Sequence, residues 1–312
     1  MGVTAIISAG PALDNHHNAC EERLEDRFEL LNTAGVGFFG IVFYTILKSD
    51  FLVEQSNLAS DTSKYDSAGG LQKIQAVKTC NPLCPSGIKA SASYIVKDIK
   101  AMKKVWTYME ENVHYNFVKM LSYSISETPW YSMEPVMSGL TLEKLYLASK
   151  AKQQPLSEEL AFHMVDQVTN ACLFLHKKCC IVHADVNREN FMLRYPGRQT
   201  PLMPDVVLID WSLWEEANPE RIVKDTESVY KSLYPVLFEG GWGCGADHEQ
   251  QGTISAKQVP LLDLQNMVAG AAKQSRQVTN ADNERANAIK DLLAVAQNPF
   301  TEAHLKAVMN DN

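Results

Sequence analysis

No stretch of this chain is apolar for long enough to cross a membrane. The longest, Ala34 to Leu47, is broken by three glycines and falls short of the roughly 18 residues that a span requires. Positive charge is also scarce: 29 Lys and Arg stand against 37 Asp and Glu, a net charge of -8. Coating a phosphate backbone or an anionic bilayer takes a surplus of cations, so broad binding to nucleic acid or membrane surface is not expected. The seven cysteines, Cys20, Cys80, Cys84, Cys172, Cys179, Cys180 and Cys244, include no pair of C-x-x-C knuckles of the kind that holds zinc. They are expected to be reduced and mostly buried, in an intracellular and cytoplasmic protein. Met1 to Leu13 lacks the Lys or Arg that opens a secretory signal, and Gly2 is followed by Ile6 where a myristoylation signal carries Ser or Thr.

What is present is the composition of a globular protein, 46% apolar and 21% charged over 312 residues, enough for one sizeable core or two modest ones. Residues 14–27 are polar and helical in pattern. From Phe28 short apolar runs take over, and Phe38 to Leu47 and Leu71 to Val77 carry the β-branched and aromatic residues that suit an antiparallel sheet. Between them Lys48 to Gly70 is rich in Ser, Asp, Thr, Gln and paired glycines, a solvated insertion. Residues 91–111 place Ile95, Ile99, Met102, Val105, Trp106 and Met109 near a helical period. Past Met137 helical signals dominate, over Leu156 to His176, Arg221 to Leu237, Val259 to Gln274 and Asn283 to Gln297.

Four short motifs carry chemistry. Gly35-Val36-Gly37-Phe38-Phe39-Gly40-Ile41-Val42 fits G-x-G-x-x-G-x-V, whose glycines let backbone approach phosphates; strand-like residues follow it, where a dinucleotide loop would open a helix. Ala76-Val77-Lys78 ends an apolar run with a compact cation suited to phosphate oxygens, although most such lysines simply face water. His183-Ala184-Asp185-Val186-Asn187-Arg188-Glu189-Asn190 fits H-x-D-x-x-x-x-N, a carboxylate to take a hydroxyl proton followed by an amide oxygen for a metal. Val207-Leu208-Ile209-Asp210-Trp211 sets a second carboxylate after a buried strand, where it either meets Mg²⁺ or caps a turn.

In this order the motifs resemble the eukaryotic protein kinase superfamily, over roughly Phe28 to Leu237. The resemblance implies an α+β, two-lobed fold. It divides into an N-terminal extension (1–27), an N-lobe of antiparallel sheet and one helix (28–134, insertion 48–70), and a hinge with a mainly helical C-lobe (135–312). It also implies ATP and Mg²⁺ as cofactors. Gly35, Gly37, Gly40 and Lys78 would hold the phosphates, and Asn190 and Asp210 the metal. Val42, Ala76 and Met192 would surround adenine, with Met133 as gatekeeper and the Glu134 carbonyl and Val136 amide reading the base. Asp185 would be the catalytic base, and Asp225 the buried aspartate that opens the helix under the catalytic loop, or else that helix's N-cap.

Departures from the pattern shape the functional expectation. Asp98 best matches the glutamate that pairs with the strand lysine, with Glu110 and Glu111 as alternatives. Ala184 replaces an arginine, Asn187 replaces a lysine beside the transferred phosphate, and Trp211-Ser212 replaces Phe-Gly. Only fourteen residues separate Asp210 from Asp225, a shortened activation segment in which Pro219-Glu220 echoes Ala-Pro-Glu. The expectation is an ATP- and Mg²⁺-dependent phosphotransferase, an atypical protein Ser/Thr kinase acting on a protein hydroxyl. The alternatives are a small-molecule kinase resembling the aminoglycoside and choline type, or a pseudokinase scaffold that binds nucleotide.

Overall fold

Strand alternation places the future site before any loop is considered. In the computed structural model, residues 23–60, 72–109, 115–152, 156, 158–194 and 203–234 are described. They fall into two units: the described residues of 23–109 and 118–137 form the first, and those of 115–117 and 138–234 the second. The first unit contains α1 (Leu24–Arg27), β1 (Phe28–Val36), β2 (Gly40–Leu47), α2 (Lys48–Ser60), β3 (Gln75–Cys80), α3 (Ile88–Met109), β4 (Met120–Ser124) and β5 (Trp130–Met133). The strands form one five-stranded antiparallel sheet in the order β1-β2-β3-β5-β4.

Because side chains alternate along a strand, the register sorts residues onto faces. Val42 opposes Lys78, Tyr44 opposes Ala76, Ala76 opposes Met133 and Lys78 opposes Tyr131, so all six share one face. Val77 and Trp130 lie on the other face, where they cluster with Phe28; the Phe28 and Trp130 rings meet edge to face at 5.3 Å.

Helix α3 follows Gly87, whose φ of +84° is the left-handed turn that glycine adopts without strain. It buries Ser91, Ile95, Asp98, Ile99, Ala101, Met102, Val105 and Met109, the stripe expected from the periodicity except that Trp106 is only half-buried. Lys48–Ser60, read from sequence as part of a solvated insertion, is a helix between two strands of the sheet. Phe51 and Glu54, one turn apart, are both buried on it, and Lys73 Nζ pairs with Glu54 Oε1 at 2.5 Å. Its sequence lacks an amphipathic stripe, so no helical period betrayed it. Residues 61–70 of that insertion lie outside the described residues.

The second unit runs α4 (Leu142–Ala151), α5 (Glu158–Phe174), a π-helical turn (Leu175–Cys179), β6 (Ile181–Val182), a 3₁₀ turn (Arg188–Asn190), β7 (Phe191–Arg194), β8 (Asp205–Leu208), β9 (Glu215–Glu216) and α6 (Pro219–Tyr234). Strand β7 pairs with β8 and β6 with β9, all antiparallel. Thr141 caps α4 by accepting from Lys144 N at 3.2 Å. Gln167 ties α5 to β8: its Oε1 accepts from Val206 N at 2.6 Å and from Asn116 Nδ2 at 2.9 Å. The helices expected at Val259 to Gln274 and Asn283 to Gln297, the glycine-rich 240–245, Cys20 and Cys244 lie outside the described residues.

Cys80, Cys84, Cys172 and Cys179 are buried, Cys180 is exposed, and none of the five is in a disulfide. Burial, with the Asp225 charge behind it, pushes the Cys172 thiol well up. Among the described residues no helix is long and apolar enough to cross a membrane.

Candidate active site

Lys78 stands inside β3 rather than at its end. Its Nζ lies 2.8 Å from Asp98 Oδ2 on α3, with both side chains nearly inaccessible to solvent. The Tyr131 hydroxyl donates to the same oxygen at 3.3 Å. Two charges withdrawn from water need such partners, because their mutual attraction must offset a desolvation cost of several kcal/mol, about the same for each ion. The shorter aspartate therefore reaches the lysine; Glu110 and Glu111 lie outside the described residues.

The turn from β1 to β2 brings glycine backbone over this pair. A Cβ at Gly40 would stand 2.9 Å from Lys78 Cε, 3.0 Å from Thr79 O and 3.1 Å from Ile95 Cδ1, whereas one at Gly35 would meet nothing within 4 Å. Gly40→Ala is accordingly expected to cost about 1–3 kcal/mol through overpacking, and Gly35→Ala to stay within about 0.5 kcal/mol. Denaturant unfolding of the two variants measures the contrast, and equal costs would refute it.

Of the residues expected around adenine, Val42, Ala76 and Met133 share the Lys78 face of the sheet. Glu134 N donates to Lys119 O at 2.8 Å, while the Val136 N–H has no acceptor among the described residues although Val136 is 5% exposed. Met192, half-buried on β7, belongs to the second unit, bridged to Thr141.

In the second unit the segment 183–190 folds back on itself. Asp185 Oδ1 accepts from Asn187 Nδ2 at 3.0 Å, and Oδ2 from Asn190 Nδ2 at 2.9 Å. Asn187 also caps the 3₁₀ turn, its Oδ1 accepting from Glu189 N at 2.9 Å and Asn190 N at 3.1 Å. Both ends of Asn187 are thus spent on shaping the loop and holding Asp185, a role that sequence reasoning did not assign to it. Asn190 uses only its amide nitrogen, and its Oδ1 accepts no hydrogen bond among the described residues.

Asp210 follows β8, and Ile209 N donates to Asn190 O at 2.9 Å beside the Phe191–Leu208 pair, so the β7–β8 ladder brings the backbone of Asn190 against the residue before Asp210. The pair offers an amide oxygen and a carboxylate, hard donors suited to Mg²⁺. Asp210 and Ala184 both have φ of 62°, a left-handed conformation costly for residues with a Cβ and characteristic of functional loops.

Asp225 supports the loop from α6, and the structure corrects its expected placement. Helix α6 begins at Pro219, with Asn218 Oδ1 accepting from Arg221 N at 2.9 Å. Asp225 thus neither opens nor caps it, and Pro219-Glu220 is simply the first turn of α6. Instead the Asp225 carboxylate accepts from Ala184 N at 2.9 Å, His183 N at 3.3 Å and His176 Nε2 at 2.7 Å.

Burial pushes this carboxyl up, but the His176 hydrogen bond, the charges of His176 and His183 and the Ala184 amide outweigh it, leaving it below the ordinary value. A carboxyl depressed on folding stabilises above its unfolded value of about 3.9 and loses that contribution as pH falls through the lower folded value. Asp225→Asn should therefore cost about 1.5–3 kcal/mol at neutral pH. The gap should close only under acid, as paired pH-dependent melts would reveal.

His183 is buried, its Nε2 3.0 Å from Ile209 O and its ring 5.1 Å from that of Trp211. Trp211, 2% exposed, also meets Phe117 at 5.7 Å, so the expected apolar anchor after Asp210 is seated. Sequence reasoning missed Arg188, which joins Glu143, lies 4.7 Å over the Tyr146 ring and reaches Ser232 O at 3.4 Å, fastening the loop to α4 and α6. Only Ala217 and Asn218 separate β9 from α6.

A sheet ordered β1-β2-β3-β5-β4, a β3 lysine paired to α3, and a hydrogen-bonded loop between a short β6 and a β7–β8 hairpin define a protein-kinase-like fold. The chain is a divergent protein of that kind. It is similar to the Serine/threonine-protein kinase D1044.8 of Caenorhabditis elegans, at 24% identity over 222 residues. That match takes in 70% of this chain but 20% of the relative, so the chain spans about a fifth of that protein's length. Its fold is similar to the crystal structure of the BubR1 kinase domain, with a TM-score of 0.59 and 13% identity over 95% of this chain and 98% of that one. No family model matches.

Proposed function

We propose that the chain is an ATP- and Mg²⁺-dependent phosphotransferase, by ancestry an atypical protein Ser/Thr kinase, with Asp185 as its base. The observation that carries this reading is the Asp185 carboxylate, aimed by two side-chain amides of its own loop. An acceptor hydroxyl would give its proton to Asp185 as its oxygen forms a bond to the γ-phosphorus, while the bond from phosphorus to the bridging oxygen breaks and ADP leaves with that electron pair.

Catalysis of this kind is positioning and charge neutralisation. Gly35, Gly37, Gly40 and Lys78 would hold the phosphates, and the Val136 N–H together with the Glu134 carbonyl would read adenine. Asn190 and Asp210 would hold Mg²⁺, which when bound supplies positive charge to the phosphates. Asn187 would act through Asp185 rather than on phosphate.

A small-molecule acceptor is the second reading, favoured by the two-residue link between β9 and α6, which leaves no peptide-docking segment there. Thermal melts with ATP and Mg²⁺ test the nucleotide site. At a hundredfold excess over Kd the gain should be about 2.7 kcal/mol, and no upward shift at saturating nucleotide would sink the proposal. Labelled ATP offered with protein and metabolite acceptors separates the two acceptor classes.

A further inference from the structure

The glycine turn is fastened to α3 by contacts that the phosphate-binding motif itself does not require. Gly37 N donates to Gly40 O at 2.8 Å and closes the turn. Its three outward carbonyls are then taken by other elements. Asn81 Nδ2 donates to Gly37 O at 2.8 Å and to Phe38 O at 3.5 Å, and Ser91 Oγ donates to Phe39 O. Ser91 Oγ in turn accepts from Asn81 N at 2.9 Å, and Asn81 Oδ1 accepts from Leu83 N at 2.9 Å, so both side chains are committed.

Above these bonds the Phe39 ring stacks on Tyr94, with centroids 3.6 Å apart and planes 27° from parallel. Ser91 and Asn81 are 0% and 6% exposed, so water does not compete for the bonds. Ser91, Tyr94, Ile95 and Asp98 recur at the three- and four-residue spacing that makes one stripe of a helix. Ile95 touches the Gly40 position, and Asp98 holds Lys78. One face of α3 therefore grips both the turn and the lysine.

We propose that Asn81, Ser91 and Tyr94 are positioning residues for the nucleotide. They tie the glycine turn to the helix that holds Lys78, so that turn and cation form one preorganised phosphate cradle rather than a free flap over a fixed lysine. This rests on the nucleotide reading above. A turn ordered before binding loses less freedom when phosphates arrive, so the strap acts on nucleotide affinity and not on the chemical step.

The test uses Tyr94→Ala, Tyr94→Phe and Ser91→Ala in the full chain, read by amide hydrogen exchange at residues 37–40 and by titration with ADP and Mg²⁺. Tyr94 is only half-buried, so its removal leaves the fold standing. The expected result is exchange faster by about tenfold in Tyr94→Ala and Ser91→Ala, and ADP Kd and ATP KM raised by about tenfold with kcat nearly unchanged. Tyr94→Phe, which keeps the stacked ring, should behave as wild type.

Unchanged exchange would show that there is no strap, and faster exchange with unchanged Kd would show that the strap does not position nucleotide. A tighter Kd would make the strap inhibitory and overturn the proposal. Failure of the wild type itself to bind ADP would overturn the nucleotide reading, a result distinct from any in the variants.

Discussion

Asp185→Ala is expected to lower phosphoryl transfer by about 10²–10⁴-fold, the usual worth of a positioned base, while nucleotide still raises the melting temperature. The residue sits on a loop whose backbone is held independently by Asp225 and by Arg188, so its side chain can be cut without dissolving the loop. Asn187 and Asn190 lose one acceptor each, but their Nδ2 groups keep the Asp185 backbone carbonyl, at 3.2 Å and 2.8 Å. Asn187→Ala should then show a smaller fall, because one of the two amides that aim the carboxylate survives. Single-turnover rates for wild type and both variants check the ordering, and equal rates for wild type and Asp185→Ala would remove Asp185 from the mechanism.

Asp98→Ala should cost about 3–5 kcal/mol, since it removes the carboxylate that meets the buried Lys78 ammonium at 2.8 Å. Most of that loss is the penalty of a buried charge that has lost its carboxylate, not the net worth of the ion pair. The double variant Lys78→Met/Asp98→Leu should therefore recover most of the stability while binding no nucleotide. Chemical denaturation of Lys78→Met, Asp98→Leu and the double variant gives the coupling energy. A loss below about 1 kcal/mol in Asp98→Ala would mean that the pair behaves like a surface salt bridge.

The reach of the sequence can be followed residue by residue. The glycine loop, Lys78 and the 183–190 segment were legible because each motif is local and its spacing is itself the requirement. The α3 stripe was legible because burial on one helical face imposes a period. Helix α2 was not, since its apolar residues recur at no helical period, and among its described side chains Phe51 and Glu54 are the buried ones. Arg188, Glu143 and Tyr146 were also invisible, because a bond between residues 45 apart leaves no trace in either neighbourhood. Nothing in the sequence around Asn81 or Ser91 marked them, yet both reach back to the glycine turn.

The sequence by itself determined the fold class and the order of the motifs, through alternation in the strands, periodicity in the helices and residue types at fixed short spacings. Tertiary structure alone decided what each motif residue touches. Asp98 meets Lys78 because the approach of α3 to the sheet is set by packing along the buried face of the helix. Asp225, which looked like a helix opener or cap, serves backbone amides 41 and 42 residues away. Asn187, which looked like a substitute for a phosphate-binding cation, turns inward to Asp185. Side-chain hydrogen bonds form wherever the folded chain brings donor and acceptor within about 3 Å, and that proximity is a property of the whole fold rather than of any window of sequence.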